Sequence, residues 1–402
     1  MMHGSRHDAL ILFGSLALLF GMALPAGPLA AQQPTVRTVT LESTELDQTR
    51  EIMIFEPLNY ARDEFAYYDV LYVFDAQTRM FFDYASSIAN LLDGGQRGFI
   101  VVGIRATSIL DELYGRNHDL LPSDTDVNLG PKSGGNAEKF LAYVRNEVVP
   151  YVESNYRVLP HRTAIGHSLS ASFLVWTMLN ETELFDNYIA VDPNLAFDDQ
   201  RLVRGLRAFD SEQFETPVLF YMSHADANRY VPSWRAANYE ANLLLLDTLA
   251  NDHFQVQIEQ YPDETHMSSF VPSVNSAMRT YLQEIRPEQV RDLSEEQYEV
   301  TFRVHVPDPD ADIWISGNQE SLGGWGPDRL KLERVSPLVR EITVSVRDHV
   351  ELRLFGGGEG DSPAWIVMGE PGPWGVPRTN RRRMIRPEDG AVYEFEVQRT
   401  PN

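Results

Sequence analysis

Uninterrupted apolar runs occur at several places in the first two thirds of the chain. They are the segments 67–74, 98–104, 187–193 and 217–223. Runs of this kind are typical of parallel strands that are buried on both faces of a sheet. Between them, apolar residues recur every three or four positions, for example over 80–92 and 136–156, and this spacing indicates helices. Strands that alternate with helices predict a three-layer α/β body with a mostly parallel sheet.

The periodicity changes from helical to alternating after a polar, charged stretch at 287–297. Apolar and polar residues alternate from Tyr298 to Val306, and the same pattern returns near 342–346, 350–354 and 393–397. Strands with one face on a core and one face in solvent give this pattern. The sequence therefore predicts an α/β domain over 32–286, a linker over 287–297 and a small all-β sandwich over 298–402.

The first 31 residues have the composition of a secretory signal peptide. An apolar stretch over 9–24 is followed by a run of small residues and prolines that ends at Ala31. The alternative is a single membrane anchor, but the stretch is short for a bilayer span. We expect cleavage after Ala31, an exported protein in the periplasm or outside the cell, and no stable membrane span afterwards.

Composition narrows the classes of partner. The 402-residue chain contains no cysteine, which excludes disulfides and thiolate metal sites. Its formal net charge of −24 argues against nucleic acid as a partner. An acidic triplet at Asp308, Asp310 and Asp312 resembles the start of a calcium loop, but Ile313 stands where such a loop needs glycine. We expect no metal and no cofactor.

A short motif follows the apolar strand near residue 163. Gly166-His167-Ser168-Leu169-Ser170 matches G-x-S-x-G except for its last position, where serine, another small residue, replaces glycine. In this motif, a sharp turn between strand and helix exposes the serine as a nucleophile. The alternative role for Ser168 is that of a helix N-cap. The strand before it and the apolar helix after it favour the nucleophile.

A serine nucleophile needs a base, an acid that orients the base, and donors for the oxyanion. In this kind of fold the order along the chain is Ser, Asp or Glu, His. His266, in a polar loop before the last helix, is the predicted base, and Asp226, which follows a strand, is the predicted acid. Asp263 and Glu264 remain alternatives for the acid. The oxyanion donors are expected to be the amide of Leu169 and an amide in the loop over 74–81.

Several blocks of sequence occur in the same order as in the esterase D-like α/β-hydrolases. They are "VLYVFDAQTRMF", "FIVVGIRATS", "GRNHDLLPSD", "TAIGHSLSASF" and "YPDETHMSS". The chain most resembles the enterobactin-esterase-like subgroup, over about 36–285. The resemblance implies an α/β-hydrolase fold, Ser168 as nucleophile, His266 as base, Asp226 as acid, and the amides of Leu169 and Gln77 as oxyanion donors.

The same resemblance indicates which residues border the substrate, and the chain differs from the family's usual sequence at two places. Arg116 and Asp119 match an R-x-x-D-L-x-P segment, in which Arg116 or His118 is expected to border the substrate. A structural Arg–Asp ion pair is the alternative for Arg116. The chain has Ala76 where the family usually has glycine, and Ser170-Ala171 where it usually has Gly-Gly.

The C-terminal region resembles the family 20 starch-binding modules over about 298–400. Its "SLGGWG" turn and the late "TNRRRMI" carry the resemblance, and four of the six tryptophans lie in the last quarter of the chain. The resemblance implies that Trp325 and Trp374 bind an α-glucan, and Trp365 is the alternative to Trp374. The alternative is that these side chains pack within the sandwich.

Together, these features predict a secreted serine esterase that forms an acyl-enzyme through Ser168 and acts on small-molecule or glycan-linked esters. A siderophore trilactone esterase is one alternative. A glycan-binding protein that keeps the hydrolase scaffold without catalysis is the other.

Overall fold

The structure is a computed structural model. It describes residues 34–58, 60–61, 63–94, 96–106, 115–123, 135–225, 232–289, 294–326, 329–356, 365–367 and 382–399. The predicted signal peptide at 1–31 lies outside these residues. Among the helices described, none is both long and apolar enough to pass through a bilayer.

An eight-stranded sheet forms the centre of the larger region. Its strands are β1 (Thr35–Ser43), β2 (Gln48–Glu56), β3 (Tyr68–Phe74), β4 (Phe99–Ile104), β5 (Val158–His167), β6 (Asn187–Val191), β7 (Val218–Ala225) and β8 (Phe254–Tyr261). They lie in the order β1-β2-β4-β3-β5-β6-β7-β8. The β1–β2 and β2–β4 pairs are antiparallel. The other six strands, which lie in the order β4-β3-β5-β6-β7-β8, are parallel to one another. Strands β3, β4, β6 and β7 are buried along their whole length, as their uninterrupted apolar runs predict, and β5 is buried from residue 163 to its end.

Helices cover both faces of this sheet. They are α1 (Arg79–Asp93), α2 (Gly115–Leu120), α3 (Ala137–Tyr143), α4 (Val149–Asn155), α5 (Leu169–Asn180), α6 (Phe197–Ala208), α7 (Pro232–Leu243), α8 (Phe270–Thr280) and α9 (Arg286–Gln289). One apolar core contains Phe82 of α1 and Met278 of α8. The other contains Phe140 of α3 and Phe173 of α5. The predicted α/β-hydrolase class, with three layers and a mostly parallel sheet, is confirmed.

Pro150 does not end the predicted helix at 136–156. A turn of π-helix, Val144–Val148, joins α3 to α4, and Pro150 occupies the second position of α4. Proline lacks the amide hydrogen that an α-helix needs in its interior. The wider π turn before it changes the hydrogen-bond register, so the chain continues in the same direction.

The C-terminal region contains two small sheets. Their strands are β9 (Gln297–His305), β10 (Ile313–Gly317), β11 (Leu330–Lys331), β12 (Glu333–Ser336), β13 (Val339–Arg347), β14 (Val350–Gly356), β15 (Trp365–Val367), β16 (Arg383–Ile385) and β17 (Val392–Arg399). The sheets have the orders β11-β10-β14-β16 and β12-β13-β9-β17-β15. One apolar core joins them, through Phe302 and Phe395 from one sheet and Ile315 and Leu352 from the other. This arrangement agrees with the alternating pattern of the sequence.

The sandwich contacts the amino ends of the parallel strands. Just before β3, the amide of Tyr67 donates to the carbonyl of Met384 at 2.8 Å, and Phe65 packs edge-on against Tyr393. Arg383 of β16 donates to the Asp63 carboxylate at 2.9 Å. These contacts lie at the opposite edge of the sheet from Ser168, which follows the carboxyl end of β5.

The predicted linker begins with ordered structure. Its first residues belong to α9, and the buried side chain of Gln289 donates to the carbonyl of Pro217 at 2.9 Å. Residues 290–293 lie outside the described residues. The boundaries of the domains themselves stay predictions.

Candidate active site

Ser168 occupies a sharp turn between β5 and α5. Its backbone is left-handed, with φ 60° and ψ −117°, a combination that side-chain-bearing residues rarely adopt. Its amide donates to the carbonyl of Val191 at 2.9 Å, which fixes the turn to β6. A Cβ atom at Gly166 would lie 2.6 Å from the backbone of Ser170, so the close approach of strand and helix requires glycine there. The half-exposed Ser168 thus lies at the carboxyl edge of the sheet.

Ser170 replaces the last glycine of the motif without opening the turn. Its hydroxyl is buried, accepts from the amide of His167 at 2.9 Å and donates to the carbonyl of the same residue at 2.9 Å. Because both hydrogen-bonding functions of the hydroxyl are satisfied locally, burial of this side chain has little cost. Serine therefore fits at this position of the turn without leaving a buried hydroxyl unsatisfied.

His266 pairs with a buried aspartate. Its Nδ1 lies 2.6 Å from Oδ2 of Asp192, and Asp192 is fully buried. The other oxygen of Asp192 accepts from the amide of Ala225 at 3.1 Å. A carboxylate accepts only, so Nδ1 of the neutral ring carries the hydrogen and Nε2 carries the lone pair that a base needs. The pair has the chemistry of the base and the acid of a serine hydrolase.

The aspartate that contacts His266 differs from the predicted acid. Asp226 was predicted for that role and lies outside the described residues, whereas the structure pairs His266 with Asp192. Asp192 directly follows β6, next to the strand that carries Ser168, while Asp226 follows β7. The signal in the sequence was an aspartate at the end of the apolar run over 187–193. That signal was ambiguous because several strands end in acidic residues.

A second histidine supports the loop that carries His266. The ring of His167 lies 4.5 Å from that of His266, and its Nε2 donates to the His266 carbonyl at 2.6 Å. Burial and the neighbouring charge of His266 lower the pKa of His167 to about 4, so the ring is neutral at pH 7. Phe81 contacts His167 from α1, and Trp234 of α7 approaches the His266 ring edge-on at 5.8 Å. His266 is therefore held in one orientation by its neighbours.

The two predicted oxyanion donors flank the turn. Leu169 is the first residue of α5, and Gln77 lies in the loop after β3, the strand beside β5. Among the described residues, neither amide donates to another backbone group. The side chain of Gln77 donates to Asp75 at 2.8 Å and accepts from the amide of Ala106 at 3.1 Å, which fixes the loop. Their role as donors remains a prediction.

Arg116 forms an ion pair with an unexpected partner. Its guanidinium donates to the buried Asp75 carboxylate, with Nε at 3.1 Å, while Asp119 pairs with Arg50 at 2.8 Å. The alternative of a structural Arg–Asp pair therefore holds for Arg116, with Asp75 in place of Asp119. His118 is exposed. Contact of Arg116 or His118 with substrate stays a prediction.

The predicted sugar-binding residues are only partly within the described structure. Trp374 lies outside it, and Trp365 begins β15. Trp325 is half-buried with φ 57°, and the guanidinium of Arg382 lies 4.8 Å from its ring centroid. Arg353 lies 5.9 Å from the same ring and donates to Gln96 at 2.6 Å. The ring of Trp325 thus stacks with cations near the hydrolase region.

The described part of the chain contains no group of three His, Asp or Glu side chains placed to hold a metal ion. Its candidate chemistry is that of the serine, the two histidines and the buried aspartate at the carboxyl edge of the sheet.

Comparisons with known proteins support an esterase-like hydrolase. Residues 43–225 match the family model described as "Putative esterase". The chain is 24% identical over 162 residues to ferri-bacillibactin esterase BesA of Bacillus subtilis, a match that covers 40% of this chain and 56% of BesA. It is 30% identical over 190 residues to a siderophore enterobactin esterase of Emericella nidulans, covering 40% of this chain and 61% of that protein. The chain thus spans little more than half the length of these curated relatives.

A solved structure with the same fold comes from Shewanella oneidensis. It is described as an IroE-like serine hydrolase, has a TM-score of 0.52 and 22% sequence identity, and covers 65% of this chain and 82% of its own. The fold of the larger region is that of the α/β hydrolases, and the family match and the two relatives support an esterase-like hydrolase.

Proposed function

We propose that this protein is a serine hydrolase of carboxylic esters that works through an acyl-enzyme. The observation that carries the proposal is the buried Asp192 bonded to Nδ1 of His266 at 2.6 Å, beside a serine with a strained backbone at the strand–helix turn. An exposed serine alone, or a histidine whose ring nitrogens are hydrogen-bonded, is common in proteins and does not indicate catalysis. A serine, a histidine and a buried carboxylate at one sheet edge form the arrangement that nucleophilic catalysis needs.

The proposed reaction follows from this arrangement. Nε2 of His266 takes the proton of the Ser168 hydroxyl as its oxygen attacks the ester carbonyl, and Asp192 stabilises the imidazolium that forms. The amides of Leu169 and Gln77 donate to the oxyanion. The tetrahedral intermediate collapses as His266 returns the proton to the departing alcohol, leaving an acyl group on Ser168. Water then repeats the sequence and releases the acid.

The first candidate substrate class is an acyl ester on or near a glycan, hydrolysed outside the cytoplasm. The starch-binding-like pattern of 298–402 and the signal-peptide-like start of the chain favour this class, and both remain proposals. The second candidate is a siderophore trilactone, since the two curated relatives are named as siderophore esterases. A panel of feruloyl, acetyl-glycan and trilactone esters distinguishes the two classes by their relative kcat/KM.

The experiment that tests catalysis uses Ser168→Ala with p-nitrophenyl acetate. We expect turnover to fall about 10⁴-fold or more, because the nucleophile is lost while the fold is kept. Ser345→Ala, an exposed serine on β13, is the matched control and should keep the wild-type rate. If Ser168→Ala keeps most of the rate, Ser168 is not the nucleophile. If the wild type itself is inactive on every ester, the non-catalytic glycan-binding alternative gains support.

A further inference from the structure

The loop between β3 and α1 contains a buried carboxylate beside the turn of the nucleophile. Asp75 is buried and has a left-handed backbone, with φ 60°. Val73 pairs with Ile165 in the parallel β3–β5 ladder, so Asp75, two residues on, lies level with His167, the residue before Ser168. Burial lowers the pKa of His167, and the negative charge of Asp75 opposes this shift. The charge of Asp75 therefore acts on the carboxyl edge of the sheet.

Two side chains donate to the Asp75 carboxylate. Nε2 of Gln77 donates to Oδ1 at 2.8 Å, while Oε1 of the same side chain accepts from the amide of Ala106 at 3.1 Å. Nε of Arg116 donates to Oδ1 at 3.1 Å, and a terminal nitrogen of the guanidinium donates to Oδ2. The amide of Thr78 closes the loop by donating to the Asp75 carbonyl at 2.9 Å. Asp75 thus connects a cation to the residue whose amide is a predicted oxyanion donor.

A carboxylate without a cation at this place would oppose the proposed reaction. The ester oxygen becomes an oxyanion in both the acylation and the deacylation step, beside the amides of Leu169 and Gln77. A second negative charge nearby repels that oxyanion, and the repulsion is stronger where water is excluded. The two-point contact of Arg116 with Asp75 is the strongest kind of pairing for a carboxylate. Arg116 is partly exposed, so it reaches the buried carboxylate from the solvent side.

We propose that Arg116 is a positioning residue of the oxyanion site. Its guanidinium neutralises Asp75, so that the loop presents the Gln77 amide to the oxyanion without placing an unpaired negative charge beside it. This inference rests on the proposed esterase function, and it gives Arg116 a role that does not require contact with the substrate.

Arg116→Met tests this role with p-nitrophenyl acetate as substrate. It should lower kcat about 30-fold and change KM less than about threefold, because the unpaired carboxylate opposes the oxyanion of both steps and leaves binding of the neutral ester unchanged. The inhibition constant of phenylboronic acid, which forms a tetrahedral anion on a nucleophilic serine, should rise by a similar factor. Arg37→Met is the matched control, since Arg37 is exposed and pairs with the buried Glu56 at 2.9 Å at the edge of the sheet. It should keep all three constants.

A double variant, Asp75→Asn with Arg116→Met, distinguishes charge from packing. Asparagine tolerates the left-handed backbone, and its side-chain oxygen still accepts from Gln77. The kcat should return to within about fivefold of the wild-type value, because no carboxylate is left unpaired. Asp75→Asn alone should keep kcat within about threefold of wild type, and it carries the test together with the double variant if Arg116→Met does not fold.

Three results would each overturn the inference. They are a folded Arg116→Met with the wild-type kcat, a double variant no more active than Arg116→Met or without activity, and a folded Asp75→Asn with kcat lowered more than about tenfold. With an active wild type, these results leave the proposed esterase function intact. A wild type that hydrolyses neither p-nitrophenyl acetate nor any other ester removes the proposed function and the inference with it.

Discussion

The two edges of the parallel sheet contain different kinds of residue. At the carboxyl edge, β3, β5 and β6 are each followed directly by a residue with a left-handed backbone, namely Asp75, Ser168 and Asp192, with φ of 60°, 60° and 47°. Such conformations cost of order 1–3 kcal/mol each and persist where the surrounding structure holds them. Three of the eight described non-glycine residues with positive φ therefore lie at this edge, and two of them are the candidate catalytic residues Ser168 and Asp192.

The amino edge instead contains buried charges that are paired. Arg286 donates to Asp69 at 3.1 Å and to Asp93 at 2.9 Å, at the amino end of β3 and the end of α1. Burial disfavours the charge of Arg286, but the two carboxylates outweigh it and raise its pKa. Arg97, also buried, lies 3.6 Å from Asp69 and 3.9 Å from Glu351 of the sandwich.

This difference between the two edges predicts that mutations at one edge affect turnover and mutations at the other affect stability. A change at Ser168 or Asp192 should alter turnover with little loss of stability, because strained functional residues contribute little to it. A change at the amino edge should alter stability and leave turnover intact, since its charges are far from the reacting atoms. The predictions below test this separation, beginning with the largest expected effect.

Asp192→Asn should lower turnover of p-nitrophenyl acetate by about 10²- to 10⁴-fold, because the amide no longer holds His266 in the right tautomer. Thermal stability should change little. Asp226→Asn is the matched control and should keep turnover within about threefold. The reverse result, with Asp226→Asn inactive and Asp192→Asn active, would show that Asp226 is the carboxylate that orients His266.

Arg286→Met should lower the free energy of unfolding by about 3–5 kcal/mol, because Asp69 and Asp93 are left buried without their shared cation. Urea denaturation measures this loss. The kcat at a temperature where the variant is folded should equal that of the wild type. A folded variant with unchanged stability would show that the amino edge does not depend on this ion pair.

His167 should make stability depend on pH. Its pKa of about 4 in the folded protein lies below the unfolded value near 6.5, so the unfolded chain binds more protons between these values. Its contribution is fully present above pH 6.5 and is lost as the pH falls towards 4. A pKa difference of one corresponds to about 1.4 kcal/mol, so the loss is about 3 kcal/mol.

The variant His167→Gln keeps a donor for the His266 carbonyl and does not titrate. We expect the stability difference between wild type and variant to change by about that amount between pH 7 and pH 4, as measured by urea denaturation at several pH values. Parallel curves for the two proteins would contradict the assignment.

The smallest effect is expected in the sandwich. If Trp325 binds an α-glucan, Trp325→Ala should weaken retardation of the full chain by soluble starch about fivefold, since one aromatic contact contributes about 1 kcal/mol. Trp314→Phe is the matched control. Unchanged migration together with a lower Tm would instead assign Trp325 to packing against Arg382.

Sequence patterns predicted most of the fold for a physical reason. Strands buried on both faces must be apolar throughout, and strands buried on one face must alternate, so burial is recorded directly in the order of residues. The turn at Ser168 could also be predicted from the sequence, because only glycine fits at position 166 next to the backbone of Ser170.

The partners of charged side chains were less predictable. Which aspartate reaches His266 depends on where its loop lies in space, and the structure selects Asp192, 74 residues away in sequence. Arg116 pairs with Asp75 across 41 residues instead of with Asp119 in its own helix. In both cases several acidic residues had suitable chemistry, and only the packing of the strands decided between them.

The central claim is that Ser168 is a nucleophile activated by His266 and Asp192. Incubation of the full chain with a fluorophosphonate serine probe, followed by mass spectrometry of the peptides, tests it most directly. We predict a single covalent addition on Ser168, labelling at least 100-fold slower in Asp192→Asn, and no addition in Ser168→Ala. Labelling of another serine, or labelling of Ser168 at the same rate in Asp192→Asn, would contradict the account.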